Sequence, residues 1–476
     1  MASYVPLQEN IQFPTSQFDN TLCTPTNNKS SSVKVVNATT YRETIPNKNM
    51  GGSSQINMPV MNLLKNVILV LKLKAGTDPN DLKDGHFLPQ SWGYDAIDYI
   101  EYNYGTNSPL RVVGEQMRVI NLSQAESGEK KQQLLRLAGE EFNGGVASPT
   151  SSAGFYYAYI NLALPHSNAN SGRQIPYDMG ILNNVASIKV VFNQASNFIT
   201  RNEGDAAVAF PTRFEDAYIA FQQQLLADGQ SDSVKSLVSR AGGRKYDYPF
   251  MYSQYYVTEP FTGSSPDDPT PGQPIVRQLF NFVPGSVQSI DLWLERVSYG
   301  VDADNANGAQ NEISKSKHNK AWYVPLGNVE LLYGGQAVLR YDDDLQEVLT
   351  LSDYPTGGTF NVQVPPYLKG SQTGASDTVG KVSQICHLQL SQYNEQFING
   401  GLIQTGMQLN NSTVSVSFTT PSLRDIRIAA DKAITEQCQY RLHCNYNYQC
   451  SLRASMGNLD MLFVKPERLI PDITSG

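Results

Sequence analysis

The chain has 476 residues, a formal net charge of −8 and a charged fraction of 17%, which is below the roughly 25% of typical soluble domains. Its 36 glycines, 26 prolines and 26 tyrosines favour short strands joined by many turns and argue against a protein built from long amphipathic helices. Because the net charge is negative and lysines and arginines form no long run, the sequence also argues against a protein that binds nucleic acid directly through phosphate contacts.

Residues 1–30 are polar, lack any periodicity and are interrupted by Pro6, Pro14 and Pro25. This pattern predicts an N-terminal arm rather than part of a sheet. The start of the chain lacks the basic and apolar regions of a secretory signal, and the apolar stretch at residues 67–71 is far shorter than the roughly 18–20 residues of a membrane span. We therefore expect a soluble protein that is made in the cytosol.

Short apolar segments with strand character follow along the rest of the chain, separated by clusters of Gly, Pro and Asn. Such a pattern is typical of a β-sandwich or barrel, so the sequence predicts an all-β protein. The predicted strands fall into two sets, the first at residues 32–41, 67–74, 97–104, 155–164, 188–193 and 217–222, the second at residues 252–257, 290–297, 329–333, 384–390, 414–419 and 439–446.

The two sets repeat one plan. Four segments of the first set match segments of the second in the same order, at separations of 223, 229, 228 and 226 positions. A repeat of about 225 residues is too long for a solenoid repeat or a propeller blade, so it indicates the duplication of a whole domain. The matched positions are Val67 with Ile290, Ile100 with Val329, Tyr157 with Ile385 and Ile188 with Val414.

The duplication divides the chain into an arm at residues 1–30, a first domain at 31–228, a linker at 229–245 and a second domain at 246–470. Helical patterns occupy little of it. We predict one helical stretch at residues 124–142, between strands of the first domain, and a short helix in the linker.

The sequence contains no constellation typical of catalysis. It has no H-x-H, HExxH, P-loop or G-x-S-x-G motif, and its histidines are scattered. We therefore predict that the protein is not an enzyme and has no catalytic, cofactor-binding or metal-binding residue. The histidines, which we expect to be packed or hydrogen-bonded where they lie in strands, are His86, His166, His318, His387 and His443.

Five cysteines are too few and too uneven for a disulfide framework. The last three recur every six residues, which would place them on one face of an unbroken strand, and this spacing matches no usual zinc pattern. Buried free thiols are the favoured interpretation and a metal site is the alternative. The cysteines are Cys23, Cys386, Cys438, Cys444 and Cys450.

Three other segments leave alternatives open. Three consecutive aspartates at residues 342–344 could bind a divalent cation, although an exposed turn is favoured. The aromatic segment 246–256 could stack on bases or sugars, although strand packing and subunit contact are favoured because no Lys or Arg is interleaved along it. The basic segment 315–320 is interpreted as a solvated loop.

Several segments resemble the double jelly-roll major capsid proteins of nucleocytoplasmic large DNA viruses and their virophage and polinton-like relatives. Residues 280–294, FNFVPGSVQSIDLWL, resemble the family's proline-led, tryptophan-bearing strand that opens the second barrel, without the basic residue that often follows the proline. Residues 329–340, VELLYGGQAVLR, resemble its apolar strand, glycine turn and arginine, and residues 446–459 resemble its closing segment. The loose pattern covers most of residues 30–465.

The resemblance implies an all-β fold of two tandem eight-stranded jelly-roll sandwiches, with short helices in loops and linker. It also implies a structural major capsid protein that forms a homotrimeric, pseudo-hexagonal capsomer of an icosahedral shell. The implied partners are other copies of the chain, neighbouring capsomers, and minor capsid or cement and penton proteins, with a possible membrane beneath the shell. The implied location is the virion capsid, assembled in the host cytoplasm.

The alternative function is a jelly-roll carbohydrate- or receptor-binding spike protein. It predicts exposed aromatic and Asp or Asn side chains clustered on one barrel, whereas a shell tile predicts contacts on both. A cupin-like enzyme is disfavoured because the sequence has no histidine cluster for its metal.

Overall fold

The computed structural model describes the chain in a series of ranges, and every structural statement below concerns them. The predicted arm at 1–30 and the linker at 229–245 with its helix lie outside the described residues, so the domain boundaries stay predictions. The described ranges are 35–58, 63–83, 86–88, 91–103, 109–123, 128–140, 154–162, 177–178, 186–201, 209–226, 246–263, 272–296, 323, 326–341, 358–362, 383–390, 397–398, 401–402, 406–409, 411, 413–420, 439–455 and 458–463.

The described strands of the first half form two antiparallel sheets, in the orders β1-β11-β3-β7 and β2-β9-β5-β6. Strand β8 pairs with β3, and β4 pairs with β10. These two interleaved four-strand orders are those of a jelly roll. The strands are β1 (Val35–Thr44), β2 (Ser53–Asn57), β3 (Leu63–Ala75), β4 (His86–Phe87), β5 (Ile97–Asn103), β6 (Leu110–Val113), β7 (Gly154–Asn161), β8 (Tyr177–Asp178), β9 (Ser187–Phe192), β10 (Thr200–Arg201) and β11 (Asp216–Leu226).

The described strands of the second half repeat this arrangement, in the orders β12-β23-β15-β19-β18 and β14-β22-β16-β17. Strands β13 and β24 also pair with β23. The strands are β12 (Tyr246–Val257), β13 (Phe261–Thr262), β14 (Ile275–Gln278), β15 (Val287–Arg296), β16 (Gly327–Tyr333), β17 (Gln336–Tyr341), β18 (Gly358–Val362), β19 (Ser383–Gln389), β20 (Phe397–Ile398), β21 (Gly401–Leu402), β22 (Val414–Thr419), β23 (Gln439–Ser455) and β24 (Asn458–Phe463).

The predicted duplication is confirmed by the sheet orders. The four matched segments lie on β3 and β15, β5 and β16, β7 and β19, and β9 and β22, which occupy equivalent places in the two halves. Each of the twelve predicted segments overlaps a strand. The prediction missed β2, β6, β14 and β17, which are the edge strands of the second sheet in each half, and it also missed β18, β24 and the two-residue strands. A described edge strand such as β17 is largely exposed, so its sequence carries little of the alternation that identifies a strand.

The interiors of the two jelly rolls are built from alternate residues of the central strands. Strand β3 turns Val67, Leu69, Leu71 and Leu73 into the first core, because successive side chains of a strand point to opposite faces. In the second half, β23 contributes its even-numbered residues from Tyr440 to Cys450.

The interpretation of the cysteines as buried free thiols is confirmed for the described ones, which are Cys386, Cys444 and Cys450. Cys444 and Cys450 share the core face of β23, as their spacing predicts. Burial raises the pKa of each thiol, so all three stay protonated at neutral pH. Cys23 and Cys438 lie outside the described residues.

The structure confirms a helix within residues 124–142 and adds one before it. Helix α3 (Gly128–Leu137) falls inside that stretch, but α2 (Gly114–Ser123) precedes it and was not predicted; a single turn, α1 (Trp92–Asp95), lies earlier in the chain. Helix α2 begins at a glycine because a Cβ there would collide with the backbone oxygen of Tyr94. Its side chains are buried around most of its circumference, so it lacks the one-sided apolar pattern of a surface helix.

Candidate functional site

The most extensive polar arrangement in the described part of the chain lies where the two jelly rolls meet. Helices α2 and α3, inserted between β6 and β7 of the first half, pack on the outward face of the β12-β23-β15-β19 sheet. The residues of β15 on this face are Ser289, Asp291, Trp293 and Glu295, which alternate with the core residues Ile290, Leu292 and Leu294. We call this contact the inter-barrel interface.

A buried carboxylate organises the interface. Asp291 is fully buried and accepts hydrogen bonds from the side-chain amides of Asn445 (3.2 Å) and Asn447 (2.9 Å) at Oδ2. Its Oδ1 is 2.6 Å from Nδ1 of His387, which lies on the neighbouring strand β19. Asn447 also donates to Ser289 Oγ at 3.0 Å. A carboxylate held away from water needs such partners, because an unpaired buried charge is strongly destabilising.

Helix α2 joins this network from the first half. The side-chain amide of Gln116 donates to the backbone oxygen of Ser253 and to Oδ1 of Asn445, both at 2.9 Å. One residue earlier, Glu115 accepts a hydrogen bond of 3.1 Å from the indole Nε1 of Trp293. The two jelly rolls are therefore joined by specific hydrogen bonds between buried groups, which fix how they are aligned.

An apolar cluster lies beside these bonds. It combines Val119, Leu122 and Leu135 of α2 and α3 with Trp293 and Ile385 of the second half, all buried. Aromatic rings extend it, since Tyr255 stacks on Trp293 with ring centroids 5.9 Å apart and Tyr323 packs at 6.1 Å. Burial of an aromatic or aliphatic side chain contributes about 1.5–3 kcal/mol, so this cluster is a substantial source of adhesion between the halves.

A buried ion pair supports α2 from the side of the first half. Arg118 Nη2 lies 2.6 Å from Asp95 Oδ2, with both side chains fully buried, and Nη1 donates to the hydroxyl of Tyr323 at 3.2 Å. Burial by itself lowers the pKa of the guanidinium, but the attraction of Asp95 outweighs it, so the pKa of Arg118 stays above its ordinary value. The arginine is permanently charged and depends on Asp95 for compensation.

Several titratable side chains lie in the interface, and the surroundings of His387 and Lys131 shift their pKa values. Burial lowers the pKa of His387, but the hydrogen bond and attraction of Asp291 outweigh burial, so the pKa is raised above its ordinary value. Lys131 of α3 faces the same carboxylate, and burial lowers its pKa to about 8 although Asp291 opposes the shift. A second histidine, His443, contacts Tyr255 Oη at 2.5 Å and Glu295 Oε2 at 2.9 Å.

The structure describes some of the histidines and segments for which the sequence left alternatives open, and others lie outside the described residues. The expectation that strand histidines are packed or hydrogen-bonded is confirmed for His387 and His443, and His86 stacks on Phe210 with ring centroids 5.5 Å apart. The aromatic segment 246–256 is strand β12, paired with β23 along its whole length, which confirms strand packing. His166, His318 and the segments 315–320 and 342–344 lie outside the described residues.

Sequence reasoning missed the inter-barrel interface itself. A signal for it exists in β15 and β23, whose polar residues alternate with apolar ones in central strands that a lone sandwich would expose to water. No group of three or more His, Cys, Asp or Glu residues that could hold a metal ion occurs among the described residues. None of the helices in the described ranges is long and apolar enough to cross a membrane.

No protein-family model matches the sequence, and no curated protein does. Solved structures are similar to it over nearly the whole chain. One is PBCV-1 VP54, fitted into a reconstruction of the virophage Sputnik, with a TM-score of 0.58, 9% identity, and coverage of 92% of this chain and 100% of that one. A quasi-atomic model of the PBCV-1 virus capsid has a TM-score of 0.57 and 11% identity, and the match covers 92% of this chain and 100% of that one. The Sputnik virophage structure has a TM-score of 0.50 and 11% identity, and the match covers 98% of this chain and 96% of that one.

At such low identity the similarity concerns the fold. It agrees with the sheet orders of the two halves, which are those of two jelly rolls in tandem. The chain therefore has the double jelly-roll fold of virus capsid proteins such as that of PBCV-1.

Proposed function

We propose that the protein is a major capsid protein that forms a homotrimeric, pseudo-hexagonal capsomer of an icosahedral virus shell. The observation that carries the proposal is a double jelly-roll fold that matches a virus capsid chain over its full length. Two similar barrels in one chain, repeated three times around an axis, give six similar barrels, and such a tile fills a flat lattice with few gaps. Closed cyclic symmetry is the usual arrangement of homo-oligomers.

The inter-barrel interface supports this proposal because a tile must be stiff. Hydrogen bonds from Gln116 to Ser253 and Asn445, and from Trp293 to Glu115, tie the two barrels of one chain together. In this proposal the function is mechanical: burial of side chains at the interfaces holds the shell together, and no catalytic site is required. We accordingly propose that the protein is not an enzyme.

The partners follow from the same proposal. They are other copies of the chain, neighbouring capsomers, and minor capsid or cement and penton proteins, with a possible membrane beneath the shell. The net charge of −8 supports a shell that makes no direct contact with nucleic acid. The proposed location is the virion capsid, assembled in the host cytoplasm.

Light scattering on the purified chain tests the proposal. We expect a mass of about three times 52.6 kDa and, by negative-stain electron microscopy, particles with a hexagonal outline. A strict monomer at micromolar concentration contradicts the capsomer. Binding of a purified glycan by that monomer would favour the spike protein instead.

A further inference from the structure

An aromatic row lies on the outward face of the β1-β11-β3-β7 sheet of the first jelly roll. Phe155, Tyr157 and Tyr159 of β7 point away from the core and are 53%, 38% and 42% exposed, whereas Ala158 and Ile160 between and beyond them are buried. Large exposed aromatic side chains in a continuous row are typical of a surface that a partner covers. We call this surface the β7 aromatic row.

The second jelly roll carries the equivalent surface, and there it is covered. Strands β7 and β19 occupy equivalent places in the two halves, and Ile385 and His387 lie on the outward face of β19 as Tyr157 and Tyr159 lie on that of β7. Ile385 is fully buried, and His387 lies in the network of Asp291, because helices α2 and α3 pack over this face. One chain thus contains the same sheet face twice, covered in the second half and open in the first.

The contact within the chain joins unlike surfaces. The insert of the first half meets the sheet face of the second half, so the interface is head-to-tail and leaves one unsatisfied sheet face on each chain. A head-to-tail contact generates a ring when its rotation closes. A second copy presenting its second half to the β7 aromatic row would repeat the intramolecular arrangement around the axis.

The charges around the row suit this occupant. Lys72 Nζ lies 3.8 Å from the centre of the Phe155 ring and 5.7 Å from that of Tyr157. On the same face the guanidinium of Arg42 lies 5.0 Å from the centre of the Tyr218 ring. These two cations favour contact with a chain whose net charge is −8, although Asp216 lies opposite Lys72 where β11 pairs with β3.

We propose that the β7 aromatic row is the surface by which the first jelly roll binds the second jelly roll of a neighbouring copy. The inference rests on the proposed trimer and assigns the surface that closes it. The row lies between subunits, and it remains covered in the assembled tile.

Substitution within the row tests the assignment. Tyr157→Asp places a carboxylate beside Lys72, where the isolated subunit tolerates it but an apolar interface does not. We expect the mass measured by light scattering to fall from about three times 52.6 kDa to about 52.6 kDa, while the circular dichroism spectrum stays unchanged. The matched control is Tyr41→Asp, because Tyr41 is 45% exposed but does not lie on the face of the β7 aromatic row. Tyr41 pairs with Phe221 of β11, and both side chains are on the other face of the same sheet. The control should remain trimeric, as should the conservative variant Tyr157→Phe.

Hydroxyl-radical footprinting of the unmodified protein provides a test that needs no variant to fold. We expect Phe155, Tyr157 and Tyr159 to be oxidised at least about fivefold more slowly than Tyr41 in the assembled protein. A trimer in which Tyr157 reacts as fast as Tyr41, or that persists in Tyr157→Asp, overturns this surface while leaving the capsomer intact. A wild-type protein that is monomeric overturns both.

Discussion

The indole Nε1 of Trp293 donates a hydrogen bond of 3.1 Å to Oε1 of Glu115, a residue of the other jelly roll. Trp293 is buried, as a tryptophan in the apolar strand IDLWL is expected to be, but its side chain does not enter the core of the second jelly roll. It stands on the outward face of β15 and is covered by α2. This side chain therefore anchors the contact between the two barrels.

Replacing Trp293 with Ala should lower the free energy of unfolding by about 3–5 kcal/mol, because the substitution removes a large buried aromatic and leaves a cavity beside Tyr255 and Tyr323. Denaturant titration followed by circular dichroism measures the change. Val276→Ala is the control, since Val276 is exposed and its substitution should lower the free energy of unfolding by less than about 0.5 kcal/mol. A near-neutral Trp293→Ala would show that the inter-barrel interface contributes little to stability.

Removing only one partner of the Arg118–Asp95 ion pair should lower the free energy of unfolding substantially. Arg118→Met leaves Asp95 buried without its cation, and we expect a loss of about 3–5 kcal/mol in the same titration. The double variant with Asp95→Asn should lose less than Arg118→Met alone. Arg340→Met is the control, because Arg340 pairs with Glu330 at 3.4 Å while largely exposed, and such pairs contribute about 0–1 kcal/mol.

Stability should depend on pH through His387. Its pKa is raised in the folded protein, so the protonated form contributes stability that is fully present below the unfolded value of about 6.5 and is lost as pH rises through the folded pKa. The groups that face it are Asp291, Gln389 and Lys131. We expect the melting temperature of the wild type to fall relative to that of His387→Gln as the pH rises above about 6.5. Parallel curves for the two proteins over this range would contradict the linkage.

Chelation should leave both fold and assembly unchanged. The described residues contain no group of three or more metal-binding side chains, and the cysteines described are buried and protonated. Thermal unfolding and light scattering with and without excess EDTA provide the measurement. A marked drop in melting temperature would point to the aspartates at 342–344 or to Cys23 and Cys438.

The sequence by itself determined the strands and their duplication. Alternation of apolar and polar residues is a local property, so it identified β3, β15 and β23 and placed Cys444 and Cys450 on one face. The offset of 228 between Tyr157 and Ile385 correctly paired β7 with β19, because equivalent strands bury equivalent faces in the two cores. The edge strands β2, β6, β14 and β17 of the second sheet in each half escaped detection, whereas the edge strands β1, β7 and β12 of the first sheets were predicted.

Only the tertiary structure decided what covers each outward face. Asp291 and Asn445 alternate with core residues and resemble a solvated surface in the sequence, yet they are buried because α2 lies over them. Helix α2 was missed for the complementary reason: it is enclosed by both barrels and has no exposed side to give it an amphipathic pattern. A contact between segments more than a hundred residues apart leaves no local periodicity, because each partner is shaped by the other and not by its own neighbours in the chain.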